Sequence, residues 1–363
     1  MSISAPLLHK TCSTLLENLD KEDWKYTNLR RHALDSFLPT DASQYDSVSP
    51  ESLLEFIQPL LIDPKSTQQT IYYNGQLICM GANAADNIRL PKNTVHPNPY
   101  YIVHVTNPET TPLLINPKNV ILAEENSQGT IIEIYISLGE KSAFTNTITE
   151  INIEKGAQLN HVFLQRSLSK SLQLAHVTVK QQANSHYTGT SVSLGGETNR
   201  VAFAIQLQES NAHCQFYALA AAHHQQQMDV HLTVQHLQPH TMSSIISRGV
   251  VKDKARSAFT GKIVVAKDAR LTSALLENKN LLLSEEAEAD TRPQLEIYNN
   301  DVQCSHGATV GHLDLEALFY LKSRGIPEKE AIQLLIDAFS LPSLQGLPAF
   351  MRNNIAELIH EYS

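Results

Sequence analysis

The run CSHGATVG at 304–311 holds the residue types and spacing best suited to binding a metal in this 363-residue chain. It follows LEIYNNDV at 295–302, which reads as a strand. On an extended backbone, side chains two apart share a face, so Cys304 and His306 would project together while Ser305 faces away. A thiolate and an imidazole are suitable ligands for iron or zinc. Gly307 behind them would let the backbone turn or let another surface approach closely. Two ligands cannot complete a tetrahedral shell, so the sequence points to a half-site that a partner would finish. The plainer reading, a buried cysteine beside a hydrogen-bonded histidine, stays open.

Other chemistry is thinly supported. Cys12, Cys79, Cys214 and Cys304 are far apart and form no CxxC pair, which fits reduced thiols and excludes a self-contained cluster site. His223, His224, His231, His236 and His240 crowd together without an HExxH or cysteine-paired zinc spacing, so solvated or core histidines are the default reading. A basic run from Arg248 to Arg270 carries Lys252, Lys254, Arg256, Lys262 and Lys267 against Asp253 and Asp268. It reads as a wet strand face, with docking of an acidic partner as the sharper alternative. No GxxxxGK[ST], GxSxG or GxGxxG motif occurs, so ATP hydrolysis, serine catalysis and dinucleotide binding lack support.

The elements that must position Cys304 and His306 are legible in the hydrophobic period. Leu8, Cys12, Leu15, Leu16 and Leu19 form a helical stripe, and Ser49-Pro50 starts a second helix through Leu53, Leu54, Ile57, Leu60 and Leu61. Asn74-Gly75 between two β-rich runs predicts a tight hairpin. The segment 81–112, with prolines at 91, 97, 99, 108 and 112, reads as irregular loop with at most a short strand. Short β-rich runs then recur near Ile131, Ile148, Val162, Val177, Val192, Val201, Phe216, Val230, Ile245, Ile263, Leu281 and Leu295. Their even spacing and the near absence of hairpin dipeptides favour stacked solenoid coils, two strands each, over a sandwich. No residue-by-residue repeat stands out.

After residue 312 the period is helical again. Asp314 caps a helix through Leu318, Phe319 and Leu321 that ends at Arg324-Gly325; Pro327 opens the next, with Ala331, Leu334, Leu335 and Ala338 on one side; Met351, Ile355, Leu358, Ile359 and Tyr362 form a third stripe. The net charge of −9 argues against a nucleic-acid partner. No apolar window reaches the roughly 18 to 20 residues that span a bilayer, and no secretory pattern is evident, so the expected location is cytoplasmic.

The stretch 247–339 closely resembles the SufB/SufD family of iron-sulfur cluster assembly scaffolds. ARSAFTGKI, the NKNLLLS run, the P-x-LEI block, DVQCSHGATVG and LFYLKSRGI are its successive blocks in the family order, and MDVHLTVQH at 228–236 extends the match. The CSHGATVG form, together with EDWKYTNL at 22–29, looks like the SufD branch rather than the SufB branch. That resemblance implies a mainly β fold: a right-handed parallel β-helix core with helical N-terminal and C-terminal domains, placed here at 71–312, 1–70 and 313–363. It also implies a non-enzymatic scaffold that pairs with SufB through the β-helices and binds a SufC ATPase through the C-terminal helices, here with Phe319, Tyr320, Arg324 and Ile326. A transient iron-sulfur cluster would form at the SufB/SufD seam, using His306 as shared ligand with Cys304 beside it. The complex is a candidate to hold reduced flavin, the isolated chain is expected to carry no cofactor, and a homodimer is a candidate state of the isolated chain. The alternatives are a SufB-like main scaffold and a β-helical glycan-acting enzyme, for which Glu296 and Asp301 are the candidate acids.

Overall fold

The computed structural model describes residues 24–27, 29, 32, 34–39, 69–80, 87–109, 111–139, 141–167 and 170–362. The helices expected over Leu8–Leu19 and Ser49–Leu61 lie outside the described residues.

Two ten-stranded sheets face one another. The first four strands are β1 (Leu38–Pro39), β2 (Gln69–Tyr73), β3 (Gln76–Met80) and β4 (Asn87–Leu90); then follow β5 (Tyr100–Thr106), β6 (Leu113–Ile115), β7 (Lys118–Ala123) and β8 (Gln128–Ser137). From here the strands run ten or eleven residues: β9 (Ala143–Ile153), β10 (Gln158–Ser167), β11 (Ser171–Gln181), β12 (His186–Gly195), β13 (Thr198–Leu207) and β14 (His213–Ala222). The last six are β15 (Gln227–His236), β16 (Met242–Val251), β17 (Arg256–Val265), β18 (Thr272–Leu282), β19 (Glu288–Ile297) and β20 (Val302–His312). Odd strands from β9 onward stack into one sheet and even strands from β8 onward into the other, every pair parallel, which is a β-solenoid. All twelve expected strand centres fall inside strands.

Parallel in-register stacking puts like positions of successive coils in columns. Leu172, Thr198, Gln227, Arg256 and Glu288 form one such column, so a coil takes 26 residues at first and 32 at the end. Alternate residues of each strand point inward and make one continuous core, from Ile102 and Ile131 through Phe163, Phe203 and Phe216 to Leu276.

A column of left-handed corners turns the chain from one sheet to the other: Asn93, Asn126, Gly156, Asn184, Asn211, His240 and Leu271 all have φ between 56° and 69°. Each backbone N–H in this column donates to a carbonyl of the next coil, as in Asn126 to Lys155 (3.0 Å) and Leu271 to Asp301 (2.7 Å). Asparagine and glycine tolerate this conformation and leucine does not. Leu271→Asn is therefore expected to raise stability by about 1 kcal/mol and Asn211→Leu to lower it by about 1–2 kcal/mol, read from urea unfolding midpoints.

Among the described residues of 81–112 the chain is more regular than its prolines suggest, since it contributes β4 and the wholly buried β5. The prolines flank these strands instead of interrupting them, so no ladder hydrogen bond is lost. The Asn74-Gly75 turn does join β2 and β3 as an antiparallel hairpin, with φ of 47° and 83°. Around the first described residues, Leu29, Leu34 and Phe37 pack on Phe144 and Leu172, while the Arg200 guanidinium lies 4.2 Å over the Trp24 ring.

Three helices follow β20: α1 (Leu315–Ser323), α2 (Glu328–Ser340) and α3 (Ala349–Ile359). Asp314 caps α1 by accepting from the Glu316 and Ala317 backbones, and Gly325 ends it at φ 89°. Ile336, Met351, Ile355 and Ile359 are buried against Val162, Val192, Leu219 and Val250 on the outer face of the even sheet. The buried side of α2 is Ala331, Ile336 and Ser340, while Leu334 and Ala338 of the expected stripe face solvent. The sheet takes the β-branched isoleucine face, one position round from the predicted one. Among the described residues, no helix is long and apolar enough to cross a membrane.

Candidate functional site at the open end of the solenoid

The last coil has no successor among the described residues. β19 is the edge of one sheet and β20 the edge of the other, and neither strand contains a buried residue. Exposed parallel edges present unpaired backbone donors and acceptors and invite another strand. Pro293 inside β19 marks that edge, because a proline is tolerated only where its missing N–H is not needed. In the sequence Pro293 stands out only as the first residue of the P-x-LEI block, although a proline within a β-rich run is itself an edge signal.

The Cys304 segment is not a continuation of the strand at 295. β19 stops at Ile297, the corner Tyr298–Asp301 intervenes, and β20 carries Cys304 and His306 on the opposite sheet. Polar YNND is corner chemistry that the alternation pattern absorbs into the strand. Gly307 is not a turn either; it lies within β20, and nothing stands within 4 Å of where a side chain would begin.

Register settles which way the pair faces. Cys304 pairs with Ala274 and His306 with Leu276, two core residues that point inward. Cys304 and His306 thus share the inward face, as alternation requires, while Ser305 pairs with the outward, half-exposed Leu275. Cys304 is half-buried against the core, whereas His306 is exposed because no further coil covers it. Burial raises the Cys304 thiol above its ordinary range, with a backbone contact from Ala274 pulling the other way. Cys214, fully buried in the same inward column beside Tyr187, is pushed up to about 12 by burial and is chemically quiet. Cys12 lies outside the described residues.

The residues expected to bind an ATPase partner lie on or just after α1, two residues beyond β20. No residue of this helix is buried, and Phe319 is 74% exposed, Tyr320 56% and Leu315 74%. The Arg324 guanidinium sits 5.2 Å over the Tyr320 ring, and Ile326 is half-buried. An apolar face of this kind, directly beside an open strand edge, is a second surface suited to a protein partner.

The rival sites fare less well. Glu296 is tied to Lys262 at 2.7 Å, and Asp301 serves the corner through its backbone. In the basic run, Arg248 reaches Glu277 (2.5 Å), Lys254 reaches Glu286 (2.9 Å) and Arg256 reaches Asp290 (2.7 Å). Lys254 and Arg256 neutralise solvent-accessible acids of the neighbouring coil, which supports the solvated-face reading for them, whereas Arg248 is buried beneath α2 and donates to the Phe339 carbonyl at 3.2 Å.

Comparison with known proteins agrees with this architecture. The family model for "SUF system FeS cluster assembly, SufBD core domain" matches residues 104–339. The chain is similar to the iron-sulfur cluster assembly SufBD family protein slr0076 of Synechocystis sp., 33% identical over 71% of this chain and 59% of that protein. It is 36% identical to the iron-sulfur cluster assembly protein SufD of Escherichia coli over 61% of this chain and 53% of that protein. It is 29% identical to SufD of Bacillus subtilis over 73% and 61% respectively. The chain thus spans little more than half the length of these relatives. With the solenoid, the inward cysteine-histidine pair and these matches together, the chain belongs to the SufBD family of the SUF system, on its SufD side.

Proposed function

We propose that this chain is a non-enzymatic scaffold subunit of SUF iron-sulfur cluster assembly. Its open end pairs with a SufB-type subunit, and the nascent cluster, as cargo, is held in part by His306. The observation that carries this reading is the position of His306: inward-facing by register, yet exposed on an edge strand that is paired along one flank alone. A ligand there is open to a second subunit, which would supply the rest of the shell. Cys304, one step back and half-buried, lines the same face. The exposed α1 face, with Phe319, Tyr320, Arg324 and Ile326, is the surface for a SufC-type ATPase.

His306→Ala is expected to leave folding and co-purification with SufB and SufC intact and to lower cluster formation in cells by about tenfold or more. Wild-type cluster yield in that variant removes His306 as ligand. Phe319→Ala with Tyr320→Ala is expected to release SufC while SufB stays bound, which separates the two surfaces. Cys304→Ser in the same assay decides whether the thiol is a ligand or packing.

A further inference from the structure

Where the chain turns between the two sheets, two stacked corners bring together side chains that the sequence keeps apart. His223 and His224 begin the corner between β14 and β15, and Asp253 lies in the corner between β16 and β17, one coil on. The Lys252 N–H donates to the Ala222 carbonyl and the Lys254 N–H to that of His224, both at 2.9 Å, which fixes one corner over the other. His224 and Asp253 share the left-handed conformation, with φ of 56° and 57°. That backbone swings His224 round so that its ring stacks on that of His223, with centroids 4.2 Å apart and planes inclined by 22°. Neighbours on an extended strand would point to opposite faces instead.

The donor atoms of all three residues lie within 4.8 Å of one another. One edge is already at ligand spacing, with His224 Nδ1 3.3 Å from Asp253 Oδ2. A tetrahedral ion with bonds of about 2.1 Å requires donors about 3.4 Å apart, so only the His223 ring has to close. Two supports hold the acid in place: its Oδ2 accepts the His224 N–H at 2.9 Å, and its carbonyl accepts the Ser284 hydroxyl at 2.7 Å. The His224 side chain is 76% exposed and that of Asp253 41%, so an ion has free access from solvent.

We propose that His223, His224 and Asp253 form a binding site for one divalent first-row transition-metal ion, Zn2+ or Fe2+. Two imidazole nitrogens and one carboxylate oxygen are the donor set of such ions with coordination positions left open. The same set offers too few oxygens for Ca2+ or Mg2+. The open positions would take water or a ligand from another molecule. This site is independent of the pairing proposed for the end coil, and its test is designed to keep the two apart.

The tag-free full chain carrying Cys304→Ser and His306→Ala is titrated with Co2+ as a spectroscopic probe, with Zn2+ by calorimetry and with Fe2+ under anaerobic conditions. About one equivalent of each is expected to bind, and excess Mg2+ is not expected to displace it. His224→Asn and Asp253→Asn, added separately, keep a residue that accepts the left-handed backbone and are each expected to weaken binding about tenfold or more, with circular dichroism unchanged. Absence of uptake by the parent, displacement by Mg2+, or binding in the Asn variants equal to the parent would overturn the site.

Discussion

Glu133→Ala is expected to destabilise the protein by about 4 kcal/mol, well beyond the cost of an ordinary substitution on the surface of the coil. Glu133 and His161 are both completely buried inside the coil, Oε1 to Nε2 at 3.0 Å. The other carboxylate oxygen accepts from Asn119 Nδ2 (3.0 Å), the Tyr135 hydroxyl (2.6 Å) and the Thr149 hydroxyl (3.0 Å). Burial alone would raise this carboxyl; His161, Tyr135 and Thr149 outweigh it and hold it below the ordinary carboxylate range. Removing it leaves four buried donors without an acceptor, and each such group costs about 1–3 kcal/mol before the cavity relaxes. Glu133→Gln keeps one acceptor oxygen and is expected to lose roughly half as much. Glu133→Leu with His161→Leu is expected to be milder than the sum of the two single changes, because it removes both polar partners. Urea unfolding reads all of these, and a loss below about 1 kcal/mol for Glu133→Ala would refute the network as the source of stability.

The second large effect is a loss of stability on acidification. Burial lowers His104, sandwiched between the Tyr72 and Tyr135 rings, to about 4, against an opposing pull from Glu133. It also lowers His236, held by Thr241 and Ser243 at 2.8 and 2.9 Å, to about 4. In the unfolded chain both histidines take up protons near their ordinary 6.5, so between that pH and about 4 the unfolded state binds more protons than the folded one. Stability from this source is complete above pH 6.5 and drains away as pH falls to about 4, by on the order of 3 kcal/mol for each histidine. Glu133, shifted downward, adds a further loss below its ordinary 4.5. The urea midpoint is expected to fall clearly between pH 7 and pH 5, and His104→Phe to flatten that fall. Equal midpoints at the two pH values would contradict the picture of neutral buried imidazoles.

The solenoid is readable because each strand keeps its own alternation through both sheets, from Ile131 to Leu295, and periodicity needs no partner to be seen. The corners are harder. Asn93, Asn126, Asn184 and Asn211 mark one left-handed position per coil, but Gly156, His240 and Leu271 stand in the same column, so no single letter repeats. Two departures from expectation share one cause, polar or proline-rich stretches judged by composition alone. YNND reads as strand because its flanks alternate, and 81–112 reads as loop because composition does not reveal that its prolines sit between strands. For α2, helical period gives the element, but choosing Ile336 over Leu334 as the inward residue depends on the shape of the sheet beneath. At the candidate site, residue types and shared face are visible in Cys304-Ser305-His306. That Cys304 is half-covered and His306 bare depends on where the last coil ends. The meeting of His224 with Asp253 is set wholly by stacking, which no local pattern encodes.

The short join between β20 and α1 has a mechanical consequence. Only Leu313 and Asp314 separate them, and Asp314 is itself locked to the first turn of the helix. With so little slack, a pull on α1 is transmitted to His312 and loads the terminal strand from one end. Among the described residues that strand is gripped along one flank alone, by β18. The helix is therefore a tether whose tension bears first on the ladder that carries His306.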